Sequence, residues 1–317
     1  MRALLLTALR KVGFFLAVLL GVSFAIITLA RFVPGDAIDQ LSDDPAFRAA
    51  MVSELGLDQS LLEQYFTFWG KLLHGDLGQS WVLRQGDAVS SLIGPAFSKS
   101  LTLILPALGL SFGLASALLF FFAWDGLRFL KSPVRFFVHA CSVLPLFLLG
   151  DLLILGANGY VYRLVEAGSL QRPLWFALPG EEHWVKYLLA VVVLAVGNGT
   201  LSDVILNLDE EVRKVSHQEF ILSSRIRGAW ASRHMALNLL VPVATLLVNK
   251  IAFFVGGVVV VETVFNINGM GAMIWRAANS RDVPVVIGIT FVIAAGMATL
   301  HLLTDLIQVI IDPRVRS

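Results

Sequence analysis

Charged side chains are scarce in this chain, and their scarcity indicates its class before any motif is considered. Only 15% of the 317 residues are Asp, Glu, Lys or Arg, whereas 57% are hydrophobic, and the mean hydropathy is +0.78. Soluble globular domains carry about 25% charged residues, so this composition excludes one. The net charge of +1 also provides no basic surface for nucleic acid, which we do not expect as a partner. The sequence predicts an integral membrane protein.

Residues that would carry catalysis or bind metal are also missing. Cys141 is the only cysteine, so no intramolecular disulfide is possible, and its apolar flanks predict an inert, packed thiol. The six histidines show no His-x-x-x-His spacing and adjoin no cysteine pair, so no metal site is predicted. No nucleophile and base stand together, and no Gly-x-x-x-x-Gly-Lys-Ser/Thr phosphate loop occurs. We therefore expect no catalytic residue, no bound cofactor and no ATP hydrolysis in this chain.

Six apolar windows are long enough to cross a bilayer. A helix rises about 1.5 Å per residue, so it needs roughly 20 apolar residues to cross a hydrocarbon core of about 30 Å. The windows are apolar on all sides, which is typical of transmembrane helices. We predict an all-α polytopic membrane protein with six transmembrane helices. They lie near residues 12–32, 101–123, 136–157, 184–206, 239–261 and 283–311.

Lysines and arginines indicate which side of this bundle is cytoplasmic. They concentrate at the N-terminus, in the turn after the second span, in the loop after the fourth span and in the C-terminal tail. Because basic loops stay on the cytoplasmic side, both termini are predicted to be cytoplasmic and the segment of about 33–98 extracytoplasmic. The residues are Arg2, Arg10, Lys11, Arg128, Lys131, Arg135, Arg213, Lys214, Arg225, Arg227, Arg233, Arg314 and Arg316.

One stretch of the outer segment has the pattern of an amphipathic helix. Between Leu55 and Leu73 apolar side chains recur at helical spacing, and Gly75 then supplies a tight turn. Such a helix either lies on the outer membrane surface or against the bundle, or it forms a platform for a docking protein. No repeat and no low-complexity linker divides the chain, so we predict a single transmembrane domain over residues 1–317.

The loop of about 207–238, between the fourth and fifth spans, is polar, basic and helix-forming. Residues 217–227 contain neither glycine nor proline, Gly228 can break a helix, and a second helical stretch leads from Ala229 towards Pro242. Two short helices at an angle are therefore predicted. The loop either docks on a partner or is a solvated basic loop that follows the positive-inside rule.

Several short motifs resemble one family when they are taken together. Each is common alone, but their joint order and spacing are specific. The chain resembles, from end to end, the membrane permease subunit of the dipeptide, oligopeptide and nickel importer family of ABC transporters. The motifs are Val33-Pro-Gly-Asp36, Leu55-Gly-Leu-Asp58, Gly75-Asp-Leu-Gly-Gln-Ser80, Leu144-Pro-Leu-Phe147, Arg225-Ile-Arg-Gly228, Glu262-Thr-Val-Phe265, Arg281-Asp-Val-Pro284 and Asp312-Pro-Arg-Val-Arg316.

This resemblance implies a type I importer-like permease that forms half of a heterodimeric pathway for peptides or a related small solute. Nickel, opine and glycan-derived cargo stay open. The implied partners are a second permease subunit, one or two ATP-binding subunits that hold ATP and Mg, an extracytoplasmic substrate-binding protein, and membrane lipid. The implied location is the bacterial inner membrane, with multiple spans.

The resemblance also assigns candidate site residues. Those that match the family's ATPase-coupling helix are Phe220, Ile221, Ser224, Arg225 and Gly228. Those of its exit segment are Glu262, Gly269 and Gly271. The chain departs from its relatives at Asp209-Glu-Glu211, which is acidic where they tend to carry arginine. The partner ATPase therefore need not be a typical one.

Two charges fall at membrane depth, where a charged side chain costs about 2.5–3.5 kcal/mol on translocon scales. Lys250 lies near the middle of the fifth span, and Asp151 lies beyond the centre of the third. We predict that they pair if their helices are neighbours, or that Lys250 is a pathway charge or extends unpaired to the interface. If the two were ion-coupling groups, the chain would be a secondary transporter or channel without an ATPase. No inverted repeats that would favour this alternative are visible.

Overall fold

The computed structural model describes residues 2–32, 58–124, 126, 128–169, 184–218 and 231–311. Within these residues the regular structure is helical, apart from an isolated bridge between Gln79 and Ala88, so the all-α prediction is confirmed. The helices are α1 (Arg2–Phe32), α2 (Leu61–Leu73), α3 (Val89–Ala123), α4 (Arg128–Val143), α5 (Leu146–Glu166), α6 (Trp184–Val196), α7 (Thr200–Ser216), α8 (Ala231–Val264), α9 (Met270–Asn279) and α10 (Val283–Ile311).

Five of these helices contain segments long and apolar enough to cross a membrane. The pair of α6 and α7 also qualifies, although it is bent by 51° at a short break. The described residues therefore hold five spans, or the predicted six if the bent pair is one span. The five are Leu9–Leu29, Val89–Ala123, Leu146–Glu166, Asn238–Val264 and Val283–Ile307.

The third predicted span, 136–157, is wrong as one continuous helix. The chain leaves the helical conformation at Leu144 and Pro145, which separate α4 from α5. Pro145 has ψ 149° and stands at the N-cap of α5. A proline disfavours the helical conformation of the residue before it and donates no backbone hydrogen bond, so the break follows from this residue. The membrane-length helix is α5, and α4 is a separate, shorter helix.

The fourth predicted span, 184–206, also contains a break. Residues 197–199 separate α6 from α7, and Asn198 and Gly199 have positive φ angles of 51° and 78°. Left-handed residues of this kind end helices. The Asn198 N–H donates to the carbonyl of Leu144 at 3.1 Å. The two breaks are therefore hydrogen-bonded to each other.

The described contacts divide the chain into two compact units. The terminal unit contains residues 1–99 and 268–317, and the central unit contains residues 100–267. Each has its own buried apolar cluster. The single functional domain expected over 1–317 stays a prediction. The cluster of the central unit joins α3, α5, α6 and α8 through residues that include Leu103, Leu146, Leu194, Phe254, Val258 and Phe265.

In the terminal unit α1 packs along α10, and the predicted amphipathic helix is present as α2. The Tyr65 hydroxyl donates to the carbonyl of Leu20 at 3.0 Å, and Trp69 Nε1 donates to Ser23 Oγ at 3.2 Å. This helix therefore lies against α1, and its role as a platform for a docking protein stays a prediction. A capping box begins α2: the Ser60 hydroxyl accepts the backbone N–H of Glu63, and the Glu63 carboxylate accepts the backbone N–H of Ser60 at 2.8 Å. Hydrogen bonding to the side chain and backbone of Ser60 lowers the pKa of the Glu63 carboxyl.

Asp282 is the buried anchor of an irregular loop in the terminal unit. The residue has no exposed surface, and its carboxylate accepts a hydrogen bond from the Ser80 hydroxyl at 2.5 Å. It also accepts the backbone N–H groups of Trp81, Val82 and Leu83 at 3.1, 3.0 and 2.9 Å. Two motifs noted in the sequence, around residues 75–80 and 281–284, thus meet at one carboxylate. The sequence did not predict this pairing, because the two motifs are far apart in the chain.

We expect Asp282→Ala to loosen this loop. Each hydrogen bond to a buried charge contributes about 1.5–3 kcal/mol, so losing four of them should destabilise the unit by about 3 kcal/mol or more. Tryptic cleavage after Arg84 and the thermal midpoint would measure the change. Asp87→Ala is the matched control, because its exposed carboxylate makes only a 3.9 Å ion pair with Arg84. Equal cleavage rates in the two variants would contradict the anchoring role.

Gly288 marks a close approach of α10 to the start of α3 in the same unit. A Cβ atom at this position would lie 2.7 Å from Cγ1 of Val89, and Val89 is fully buried and β-branched, so it has little room to move. Gly296, two turns further along α10, would meet nothing within 4 Å. Only the first of these glycines is required for packing.

Gly288→Ala should therefore lower thermal stability by about 1–3 kcal/mol, as overpacking of a core does. Gly296→Ala on the same helix should be neutral or should stabilise it by up to about 1 kcal/mol, because alanine is the better helix former. Helical circular dichroism followed through a thermal scan of the purified chain would measure both variants. If the two midpoints coincided, α3 and α10 would not be packed as described.

Candidate functional site

The predicted exit segment begins where α8 ends, and the helix end has a defined geometry. Asn266 is left-handed, with φ 50°. Its N–H donates to the carbonyl of Thr263 at 3.2 Å, while the N–H of Ile267 donates to the carbonyl of Glu262 at 2.8 Å. These two bonds form a Schellman motif, in which asparagine is one of the residues that tolerate the left-handed position. The buried side chain of Ile267 completes the motif.

Two buried polar side chains hold this helix end in the central unit. Glu262 has no exposed surface, and its Oε1 accepts a 2.6 Å hydrogen bond from the hydroxyl of Ser100 on α3. Lys186, at the start of α6, is 3% exposed, and its Nζ donates to the carbonyl of Asn266 at 3.0 Å. A cation at a helix C-terminus is favourable because the helix dipole is negative there. The exit segment is therefore tied to both α3 and α6.

The sequence pointed to Glu262 but missed Ser100 and Lys186. Lys186 could have been suspected, because it stands inside a run that is otherwise strongly apolar. Gly269 and Gly271 lie in the terminal unit, where Gly269 precedes α9 with an extended backbone at ψ −173° and Gly271 is buried in its first turn. The functional role of Glu262, Gly269 and Gly271 in an exit segment stays a prediction.

The predicted partner of Lys250 is wrong. Lys250 Nζ lies 3.2 Å from Oδ2 of Asp203, not beside Asp151, and 4.9 Å from the ring centre of Phe253. Its side chain is 12% exposed, whereas that of Asp203 is 53% exposed. Asp151 is exposed on α5 and forms no ion pair within the parts of the chain described. The pathway role suggested for Asp151 and Lys250 stays a prediction.

The break between α6 and α7 explains the change of partner. On a straight fourth span, Asp203 is expected nearer the cytoplasmic end than the depth of Lys250. In the structure the chain turns at residues 197–199, and α7 packs against α8. Asp203 stands in the first turn of α7, so the turn brings its carboxylate beside the middle of α8. A half-buried ammonium group and an exposed carboxylate are thereby paired.

A double-mutant cycle would separate the two possible partners. Lys250→Met and Asp203→Asn should be coupled by about 0.5–3 kcal/mol in unfolding free energy, as contacting charges are. Lys250→Met and Asp151→Asn should be additive within about 0.5 kcal/mol, because they share no contact. Thermal or denaturant unfolding of the purified chain gives both couplings. Coupling to Asp151 with additivity at Asp203 would contradict the observed pair.

The predicted ATPase-coupling residues Phe220, Ile221, Ser224, Arg225 and Gly228 lie outside the described residues. The structure shows the two helices that flank them, α7 and α8. Near the end of α7, the acidic run Asp209-Glu-Glu211 is balanced within its own helix. Arg213 lies 2.8 Å from Asp209, and Lys214 lies 2.8 Å from Glu210 and 3.0 Å from Glu211. Acids that precede bases by three or four residues stabilise a helix, so this run serves α7 itself.

The architecture defines a class before any relative is considered. Apolar spans predominate, and the buried polar groups described above support helix ends and pair charges. The class is therefore that of a helical membrane protein with several spans.

Comparisons with known proteins agree with this class. The family model for the binding-protein-dependent transport system inner membrane component matches residues 127–317. The chain is 30% identical, over 95% of its length and 96% of the other, to a protein of Brucella suis biovar 1 (strain 1330) whose name describes a peptide permease. It is 26% identical to the oligopeptide transport system permease protein AppB of Bacillus subtilis (strain 168) and 25% identical to the dipeptide transport system permease protein DppB of Escherichia coli (strain K12). Both matches cover 97% of this chain and 98% of the relative.

The chain therefore belongs to the binding-protein-dependent transport system inner membrane component family, and the resemblance noted in the sequence is confirmed. It is a multi-pass inner membrane protein and a permease subunit of an ABC transporter. Its relatives are transport components rather than enzymes. Family membership favours the permease over a secondary transporter or channel that works without partners.

Proposed function

We propose that this chain is one of two permease subunits of an ABC importer and forms half of its pathway for peptides or a related small solute. The observation that carries this proposal is the match along nearly the whole chain to proteins named for peptide, oligopeptide and dipeptide transport. The described residues hold five or six spans, which are few for a two-sided pathway. A second permease subunit would complete it.

The ATP-binding subunits and the substrate-binding protein of the importer would be separate partner proteins. One or two ATP-binding subunits would hold ATP and Mg and hydrolyse the nucleotide, because this sequence has no phosphate loop. A substrate-binding protein would deliver cargo on the extracytoplasmic side. The basic loops and termini support an orientation with both ends of the chain in the cytoplasm. In that orientation the loop between α7 and α8 faces the ATP-binding subunits.

The geometry of the central unit supports a lever action for this loop. It joins α7 to α8, so a partner that moves the loop moves the ends of both helices. Asp203 links α7 to α8 through Lys250, and Ser202 links α7 to Ser142 of α4 by a hydrogen bond. The break at residues 197–199 gives α7 a place to pivot relative to α6. Alternating access follows if ATP-driven closure of the partners displaces α7.

Substitution in the coupling loop tests this proposal. The full chain would be purified in mild detergent with its co-expressed genomic neighbours, and copurifying subunits and ATPase activity would be measured. Arg225→Glu combined with Gly228→Pro should reduce recovery of the ATP-binding subunits by about tenfold or more, since a reversed charge at an interface costs several kcal/mol. Recovery of the second permease should be unchanged, because the substitutions lie outside the spans.

Arg84→Glu is the matched control, because it reverses one exposed arginine far from the coupling loop in sequence. It should leave the complex intact. Full recovery of the ATP-binding subunits with the loop variant would contradict the coupling role. A wild-type chain that purifies without permease or ATPase partners and does not respond to ATP would instead favour the channel or secondary transporter.

A further inference from the structure

A pocket of about 350 Å³ opens between α3, α4 and α7 in the central unit. We call it the α3–α4–α7 pocket. Its walls combine apolar side chains with two arginines and one aspartate. The residues that matter here are Leu119 on α3, Arg135 on α4, and Ile205, Leu206, Asp209 and Arg213 on α7. Neither the permease function nor the coupling loop accounts for this pocket.

The pocket changes from apolar to charged in one direction. Along α7 its lining residues run from Ile205 and Leu206 to Asp209 and Arg213, one helical turn after another. On the facing helices the charged group is Arg135, whose guanidinium lies 4.9 Å from the ring centre of Phe122 near the end of α3. The basic groups therefore gather where α3 ends, and the apolar wall extends back along the spans.

Aromatic side chains indicate that this end of α3 lies at the membrane surface. The apolar span of α3 ends at Ala123, and Trp124 follows it with 55% of its surface exposed. Tryptophan is enriched at the boundary between hydrocarbon and water. On α4, Phe129, Phe136 and Phe137 are 73%, 76% and 67% exposed. Such exposed aromatic surface on a helix beside the pocket is suited to contact with acyl chains.

The charges in the pocket favour an anion. Arg213 is paired with Asp209 at 2.8 Å. Arg135 stacks on Phe122 and has no carboxylate partner in the described parts of the chain. Two arginines against one aspartate leave a net charge of +1 in the pocket when His139 is neutral. A phosphodiester carries one negative charge, and the arginine fork matches the geometry of its oxygens.

We propose that the α3–α4–α7 pocket binds one anionic phospholipid of the surrounding membrane. The phosphodiester lies between Arg135 and Arg213, and an acyl chain runs along Leu119, Ile205 and Leu206. The bound lipid would support α7, which leads directly to the coupling loop. An acidic surface of a partner protein is the competing occupant, and it is less suited to the apolar wall.

Native mass spectrometry of the full chain tests the proposal directly. The purified chain in mild detergent is mixed with equal amounts of dioleoyl phosphatidylglycerol and dioleoyl phosphatidylcholine, and the bound lipid is counted. We expect phosphatidylglycerol to be retained in preference. Arg135→Gln should weaken phosphatidylglycerol binding by about fivefold, since each basic residue near an anionic surface contributes about that factor. Phosphatidylcholine binding should not change.

Two further variants keep the test decisive. Asp209→Asn removes the single carboxylate of the pocket and should strengthen phosphatidylglycerol binding, and it breaks only an exposed ion pair within one helix, so the fold should survive. Arg163→Gln removes an exposed arginine of α5 outside the pocket and is the matched control. It should bind both lipids as the unmodified chain does.

The proposal is overturned if Arg135→Gln and Asp209→Asn leave the lipid preference unchanged, or if Arg163→Gln alters it equally. It is also overturned if Arg135→Gln keeps the preference but loses the copurified ATP-binding subunits, because the pocket would then be a contact between proteins. The result is independent of the coupling-loop experiment, which concerns different residues and a different readout.

Discussion

Buried backbone groups outside regular helices need another hydrogen-bond partner, and several of the polar side chains of this chain supply one. Lys131 Nζ donates to the carbonyl of Phe122 at 2.7 Å, where α3 ends. Lys186 Nζ likewise donates to the carbonyl of Asn266 after α8. Ser111 Oγ donates to the carbonyl of Ala195 at 2.8 Å near the end of α6. Asp282 is an acceptor instead of a donor: its carboxylate accepts the backbone N–H groups of the loop after Ser80. Lys131, Lys186, Ser111 and Asp282 thus complete the hydrogen bonding of the backbone.

The two helix breaks of the central unit obey the same constraint together. Pro145 leaves the carbonyl of Leu144 outside a regular helix, and the turn at residues 197–199 leaves the N–H of Asn198 without a helical partner. These two groups bond to each other at 3.1 Å. Each break is tolerated because the other is present. The bend that results brings Asp203 to Lys250, so a backbone requirement decides which charges can pair.

The sequence predicted the helical class and the family, because apolar composition and the order of motifs do not depend on the detailed geometry of each helix. Apolar composition locates spans whatever their internal geometry, and the motif order identifies relatives without any coordinates. The breaks were missed because window hydropathy does not register a proline or a left-handed asparagine inside an apolar run. Asp151 was predicted as the partner of Lys250 because spans three to five were treated as straight helices. The 51° bend in the fourth span shows that this assumption was wrong. Long-range polar contacts such as Ser80 with Asp282 have no local signal at all.

The discontinuous terminal unit has a consequence for biosynthesis. Its helices α1 and α10 pack along each other, with Lys11 and Asp305 joined at 2.7 Å, yet the 168 residues of the central unit, from 100 to 267, are translated between its two parts. Because α10 begins at Val283, about 250 residues after α1 ends at Phe32, a nascent α1 waits roughly 10–50 s for its partner at about 5–20 residues per second. During that interval its α10-facing surface meets only lipid or the insertion machinery. The terminal unit is therefore completed after the central unit, although its helix α1 is made before it.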